Sequence, residues 1–170
     1  MKERPNNVEY YLGIASAVAR KSPCVRRKYG AVIVVDDAVV STGYNGPARG
    51  STNCEEGCVK DILNEPHGTG YEFCPAVHAE ENTITNAARH GSSVKNGTLY
   101  ISGYDVKSGE KVEAVPCKRC RRILINAGIK KVVIDTPNGP KEFDVEKWVE
   151  EDKRSYEELC KRLKEELFKV

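Results

Sequence analysis

The stretch "YGAVIVVDDAVVSTGY", residues 29–44, is the one around which the rest of the chain can be arranged. Two β-rich runs, "YGAVIVV" and "AVVSTGY", flank the turn-forming pair Asp36-Asp37, so the stretch reads as a β-hairpin. Before it, Tyr10, Tyr11, Ile14, Ala15, Val18 and Ala19 recur at helical spacing, which predicts a helix over 6–21 stopped by Ser22 and Pro23. After it, Asn45-Gly46 and Pro47 form a turn. Residues 51–76 carry no strong period, and a loop that long inside one domain is usually functional or pinned. A helix is expected over about 77–90, closed by Gly91. The strand "GTLYIS" and a hairpin extension, "GYDVKSGEKVEAV" with Ser108-Gly109 at its turn, come next. Pro116 opens another helix to about Ala127, closed by Gly128, and "KKVVID" is a strand. The tail from Val145 is a charged helix with Trp148, Tyr156, Leu159, Leu163 and Leu167 on a rough stripe. Strands alternating with helices predict an α/β sandwich with a mixed sheet.

A chain of 170 residues is expected to be one domain, 1–170, with a helical extension at about 145–170. With 27 basic and 25 acidic side chains, its net charge of +2 offers no broad field for nucleic acid or anionic lipid. Aromatics are 7%, and no basic stripe interleaves with them, so a nucleic-acid-editing role is disfavoured. The longest purely apolar run, "AVIVV" at 31–35, is far short of a bilayer span, and "MKERPNNVEYY" has no apolar signal region. A cytoplasmic protein is expected. In a reducing compartment the seven cysteines, at 24, 54, 58, 74, 117, 120 and 160, are expected to bind metal or do chemistry rather than pair.

Two short motifs stand out, "VHAE" at 77–80 and "VPCKRC" at 115–120, each opening a predicted helix. Residues three apart on a helix share a face, so Cys117 and Cys120 can address one ion, with His78 as a third ligand. One imidazole and two thiolates leave tetrahedral zinc with one open position, the catalytic rather than the closed structural pattern. Both helix N-termini favour thiolates. A water in the open position would ionise near neutral pH. Glu80, two residues from His78, is placed to reach that water and to carry its proton to a ring nitrogen and then to a leaving amine. A lone CxxC can be a redox pair, and a lone HxE usually means nothing. The two in this order match the H-x-E…P-C-x-x-C pattern of zinc deaminases. A non-catalytic zinc scaffold would have no need of Glu80.

The segments "YGAVIVVDDAVVSTGYNGPARG", "VHAEENTI" and "VPCKRCRRILINAGIKKVVI" resemble the deoxycytidylate (dCMP) deaminase branch of the cytidine deaminase superfamily, over roughly residues 10–135. The resemblance implies a three-layer α/β/α sandwich with a five-stranded mixed sheet, usually oligomeric. It implies hydrolysis of dCMP to dUMP and ammonia, feeding thymidylate synthesis. It places Asn45 at the sugar and the backbone around Ala79 at the base. A nucleotide also needs a phosphate site. Arg26, Arg27, Lys28 and Arg49 flank these loops, and the resemblance favours Arg26. Other cytosine substrates (dCTP, CMP or deoxycytidine) are the alternative. Relatives commonly run from the strand into "T-x-x-P-C". Here a longer stretch intervenes and Val115 replaces the usual small polar residue, so the insertion should border the pocket mouth.

Cys24, Cys54, Cys58 and Cys74 remain around the nucleotide loop. Relatives of this branch bind a second, structural zinc at such positions, so the resemblance implies two zinc ions. Four thiolates would close the shell and pin the long loop. His67 competes for any one place, and buried free cysteines are the plain alternative. Cys160 and His90 receive no role.

Overall fold

The computed structural model describes residues 4–54, 57–66 and 69–167. In chain order its elements are α1 (Asn7–Ala19), β1 (Arg27–Val35), β2 (Ala38–Tyr44), β3 (Gly46–Pro47), α2 (Val59–Ile62), β4 (Ala76–Val77), α3 (Ala79–His90), β5 (Thr98–Asp105), α4 (Lys118–Asn126), β6 (Lys131–Ile134), β7 (Lys141–Asp144) and α5 (Val145–Leu167). The hairpin forms as read, with β1 and β2 antiparallel from Gly30↔Tyr44 to Val35↔Ala38. Asp36 and Asp37 both take positive φ, 48° and 62°. A two-residue turn matched to the strands' right-handed twist requires this, and Asp tolerates it better than most residues.

β1 pairs antiparallel with β5 on its other edge, β6 joins β5 in parallel, and β7 closes the sheet antiparallel, giving the order β2-β1-β5-β6-β7. β3 and β4 form a separate two-stranded ladder at the mouth of the sheet. Besides the two-residue strands β3 and β4, the first of which takes Gly46-Pro47 where a turn was read, α2 and the edge strand β7 escaped the sequence reading. Both span only four residues, too short to establish a period, and β7 has the single apolar residue Phe143 to offer the core. The expected hairpin after "GTLYIS" shrinks to one bridge, Tyr104↔Lys111, beyond a longer β5. Asp105 holds its turn by accepting the N–H groups of Lys107 and Ser108 at 3.0 and 3.1 Å.

Alternate residues of the central strands face two cores. Val32, Val34, Tyr100 and Val133 pack against Tyr11, Leu12 and Ala15 of α1. Ala31, Ile33, Leu99, Ile101, Val132 and Ile134 face Ala79, Leu124 and Trp148 of α3, α4 and α5. These are the three layers expected. Because both faces are covered, "AVIVV" is a continuous apolar run rather than an alternating one. Gly30 lets α1 lie directly on β1, where a Cβ would meet the Ala15 carbonyl and the Ala19 backbone nitrogen. Asn6 and Glu9 cap α1 reciprocally at 3.0 Å each. No helix is long and apolar enough to cross a membrane among the described residues.

Candidate active site and metal centre

Helix α3 is polar for a helix on a sheet, and hydrogen bonds hold it there. Asn82 and Asn86 donate to the β2 carbonyls of Tyr44 and Thr42 at 2.8 and 2.7 Å. Ser41 donates to the Thr83 carbonyl at 2.7 Å. Gly43 removes the side chain that would otherwise stand between strand and helix. This docking fixes the start of α3 and with it His78. The parallel β5–β6 crossover brings the start of α4 to the same place. His78 and Cys117 are both N-cap residues with extended backbone, so each helix begins one residue after its first ligand rather than on it. Cys120 lies inside the first turn of α4, and its N–H points to the Cys117 sulfur at 3.5 Å.

The ligand atoms of His78, Cys117 and Cys120 lie within 4.8 Å of one another, the one such group among the described residues. His78 Nδ1 is 3.7 Å from Cys117 Sγ and 3.3 Å from Cys120 Sγ. Tetrahedral zinc with its usual bond lengths to nitrogen and sulfur separates such atoms by about 3.6 Å, so the donor set fits. Protons are shared unevenly within it. The bond from Cys120 pulls the Cys117 thiol down to about 3, against burial and with help from His78. Cys120 is pushed up by the same bond and then by burial, and His78 is raised chiefly by its bond to Cys117. Glu80 stands beside the three, 7% exposed, its carboxyl raised by burial.

A pair absent from the sequence reading locks the two helix starts together. Arg119 of α4 donates to both oxygens of Glu81 on α3 at 2.6 and 2.7 Å, and Glu81 also accepts the His78 N–H at 3.2 Å. Both bonds come from the one Arg119 Nη2 and tie the start of α4 to that of α3.

The sequence model described as "Cytidine and deoxycytidylate deaminase zinc-binding region" matches residues 5–136. The chain belongs to the cytidine and deoxycytidylate deaminase family. It is 35% identical over 134 residues to the deoxycytidylate deaminase of Schizosaccharomyces pombe, spanning 78% of this chain but only 38% of that protein. It is 35% identical over 136 residues to the deoxycytidylate deaminase of Mycobacterium phage D29, spanning 76% of this chain and 94% of that one. Among solved structures, the dCMP deaminase of cyanophage S-TIM5 in complex with dCMP and dUMP superposes with a TM-score of 0.58 at 27% identity. The match covers 78% of this chain and 82% of that one.

In this family member the metal group opens on a pocket also lined by Arg26, Arg27, Asn45, Lys60, Tyr71, Ala79 and Glu80. Ala79 is fully buried at the first position of α3, where its N–H lies outside the helical ladder. Asn45 first serves the fold. Its side-chain oxygen accepts the Tyr29 N–H at 2.7 Å and its amide donates to the Arg27 carbonyl at 2.9 Å. One N–H remains for a ligand. Arg26 reaches the pocket but is paired with Asp61 at 3.0 Å. Arg49 turns away to Asn86 at 2.6 Å and, like His90, lines a separate shallow groove.

Three wall residues were not singled out from sequence. The Tyr71 ring is 5.4 Å from the His78 ring, forming an aromatic wall. Lys60 is only 8% exposed, with its ammonium 4.7 Å from the centre of the Tyr71 ring and no ion pair among the described residues. Arg27 was named only as one of several flanking bases. Its Nε is buried without a hydrogen-bond partner, 3.7 Å from Asp105. Val115 and Ala114 bring the insertion to the pocket, as expected.

Cys24, Cys58 and Cys74 line the same pocket, and the Cys54 thiol is pushed up by burial and then by the neighbouring Cys24, Cys74 and Cys58 sulfurs. The four gather on one side without closing to ligand distance. His67 lies outside the described residues.

Proposed function

We propose that the chain is a zinc-dependent deoxycytidylate deaminase, converting dCMP and water to dUMP and ammonia and supplying dUMP for thymidylate synthesis. The observation that carries this is the buried Glu80 carboxyl beside the His78–Cys117–Cys120 group, in a pocket whose walls also hold cations. His78, Cys117 and Cys120 would hold the zinc, which would supply the Lewis acidity that makes water nucleophilic near neutral pH. Glu80 takes one proton from the attacking water and delivers it to ring N3, then takes the second from the new C4 hydroxyl and delivers it to the amine, which departs as ammonia while the C4 carbonyl forms. Burial raises its proton affinity, which suits it to both transfers. The Ala79 N–H and the Tyr71 ring orient the base, and the remaining Asn45 N–H meets the sugar.

The 5′-phosphate goes to Lys60 and the Arg27 guanidinium, whose Nε makes no hydrogen bond and stands 3.7 Å from Asp105, with Arg26 joining only by loosening its pair with Asp61. The deoxycytidylate deaminases among the relatives support a monophosphate substrate. Ammonia release from the zinc-loaded protein should be fastest with dCMP among dCMP, CMP, deoxycytidine, dCTP and a cytosine-bearing oligonucleotide. Equal turnover of deoxycytidine would overturn the phosphate site, and preference for the oligonucleotide would overturn the substrate class. Lys60→Ala should raise KM for dCMP about tenfold or more, with kcat little changed and deoxycytidine turnover unaffected.

A second, structural zinc is proposed at Cys24, Cys54, Cys58 and Cys74, supported by the gathering of sulfurs around Cys54. Metal analysis should return about two zinc per chain, falling to about one in Cys54→Ser. One equivalent in both proteins would remove this site. Cys74→Ser should lower stability before it lowers turnover. The enzyme is proposed to work as a cytoplasmic homo-oligomer with no nucleic-acid or membrane partner.

A further inference from the structure

The first two turns of α5 are docked and the remainder is not. Trp148 is buried under Arg121, whose guanidinium carbon is 4.7 Å from the centre of the indole ring. Glu151 and Asp152 pair with Arg121 and Arg122 of α4 at 3.5 and 3.3 Å. Beyond Asp152 the described residues form no hydrogen bond or ion pair with another element; the one ion pair is Arg162–Glu166 within the helix, at 3.9 Å. Yet this half carries an apolar row. Tyr156, Leu159, Leu163 and Leu167 are 67, 40, 45 and 74% exposed. A lone helical stretch of this length is marginal in water without a covered face.

We propose that residues 153–167 of α5 pair antiparallel with the same segment of a second copy of this chain. The spacing assigns Tyr156 and Leu163 to d positions and Cys160 and Leu167 to a positions, with Leu159 at the flanking g position and Lys153 at the a position that opens the segment. Reversing one helix stacks Tyr156 on Leu167 of the other copy and Cys160 on Leu163, and the twofold axis repeats both layers.

The flanking charges select this direction. In an antiparallel pair, e positions face e positions, so Glu157 meets Lys164 of the other copy, twice by symmetry. In a parallel pair, g faces e, so Lys164 would meet Leu159, and Glu157 would meet Asp152, which Arg122 already holds; neither contact is attractive. Charge complementarity therefore specifies both the partner and the orientation.

The test is a charge swap on the full, zinc-loaded chain, with self-association measured by sedimentation. Glu157→Lys should weaken it about tenfold, Lys164→Glu similarly, and the double variant E157K/K164E should recover it. Tightening by E157K alone would indicate the parallel arrangement and overturn the proposal, as would a double variant no better than the singles. Contacts elsewhere could also join copies, so a local readout accompanies the swap. Leu163→Cys places a thiol against Cys160 of the other copy, and mild oxidation should yield a covalent dimer on a non-reducing gel. The same yield of dimer when Cys160 is also replaced by Ser, or no dimer in Leu163→Cys, counts against the antiparallel register.

Discussion

Glu80→Gln is expected to retain zinc in full and lose turnover by about 10⁴-fold, the upper range for a positioned acid–base group. The amide occupies the same buried space but neither accepts the water's proton nor releases it. Zinc content should not change, because Glu80 is outside the group formed by His78, Cys117 and Cys120. Glu80→Asp keeps the carboxylate but withdraws it by one methylene, and misplacement of that order should cost about 10²-fold. Together the two separate the chemistry of the group from its position. Metal analysis, dCMP binding and ammonia release on each variant are the measurements. An E80Q enzyme retaining a tenth or more of parent turnover would remove Glu80 from proton transfer.

The second large effect belongs to a residue that touches neither metal nor pocket. Gly43→Ala should destabilise the protein by about 3 kcal/mol, seen as a fall in Tm of roughly 6–12 °C. A Cβ there would meet the Thr83 backbone nitrogen, the Thr83 hydroxyl at 2.5 Å and the Ala79 carbonyl at 2.7 Å. Two of these atoms are backbone, so relief requires α3 to lift from β2. That would break the hydrogen bonds of Asn82 and Asn86 to β2 and displace His78. Zinc affinity should fall together with stability. Gly13→Ala is the control. Its site is exposed on α1 with no atom within 4 Å, and it should be neutral or stabilising by about 1 kcal/mol. Equal behaviour of the two variants would show that the approach of strand to helix is not tight at Gly43.

Much of the site was legible because metal chemistry imposes local rules. The imidazole and the two thiols stand at fixed offsets from helix starts, and a carboxylate stands two residues from the histidine. The matching motif order names a reaction before any tertiary contact is known. The hairpin was legible for a similar reason, since two apolar runs around Asp36-Asp37 leave little choice of turn. The basic wall of the pocket was not legible. Arg26, Arg27, Lys28 and Arg49 look alike as letters, and only folding engages Arg26 with Asp61 and turns Arg49 toward Asn86. Lys60 and Tyr71 lie in the segment 51–76, where the one helix among the described residues, α2, is a single turn too short to leave a period in the sequence.

The chain alone determined that His78, Cys117 and Cys120 could meet, that a carboxylate stands beside them, which strands are covered and that the tail is amphipathic, because spacing and residue type suffice for each. Tertiary structure decided which helix starts meet, through the crossover from β5 to β6 and the Glu81–Arg119 pair. It decided that Asn45 is first a clip on β1, and that Lys60 is a buried cation at the pocket. It also decided that the outer half of α5 finds no cover among the described residues. These are relations between residues far apart in sequence, and burial and charge pairing fix them only once the chain has closed on itself.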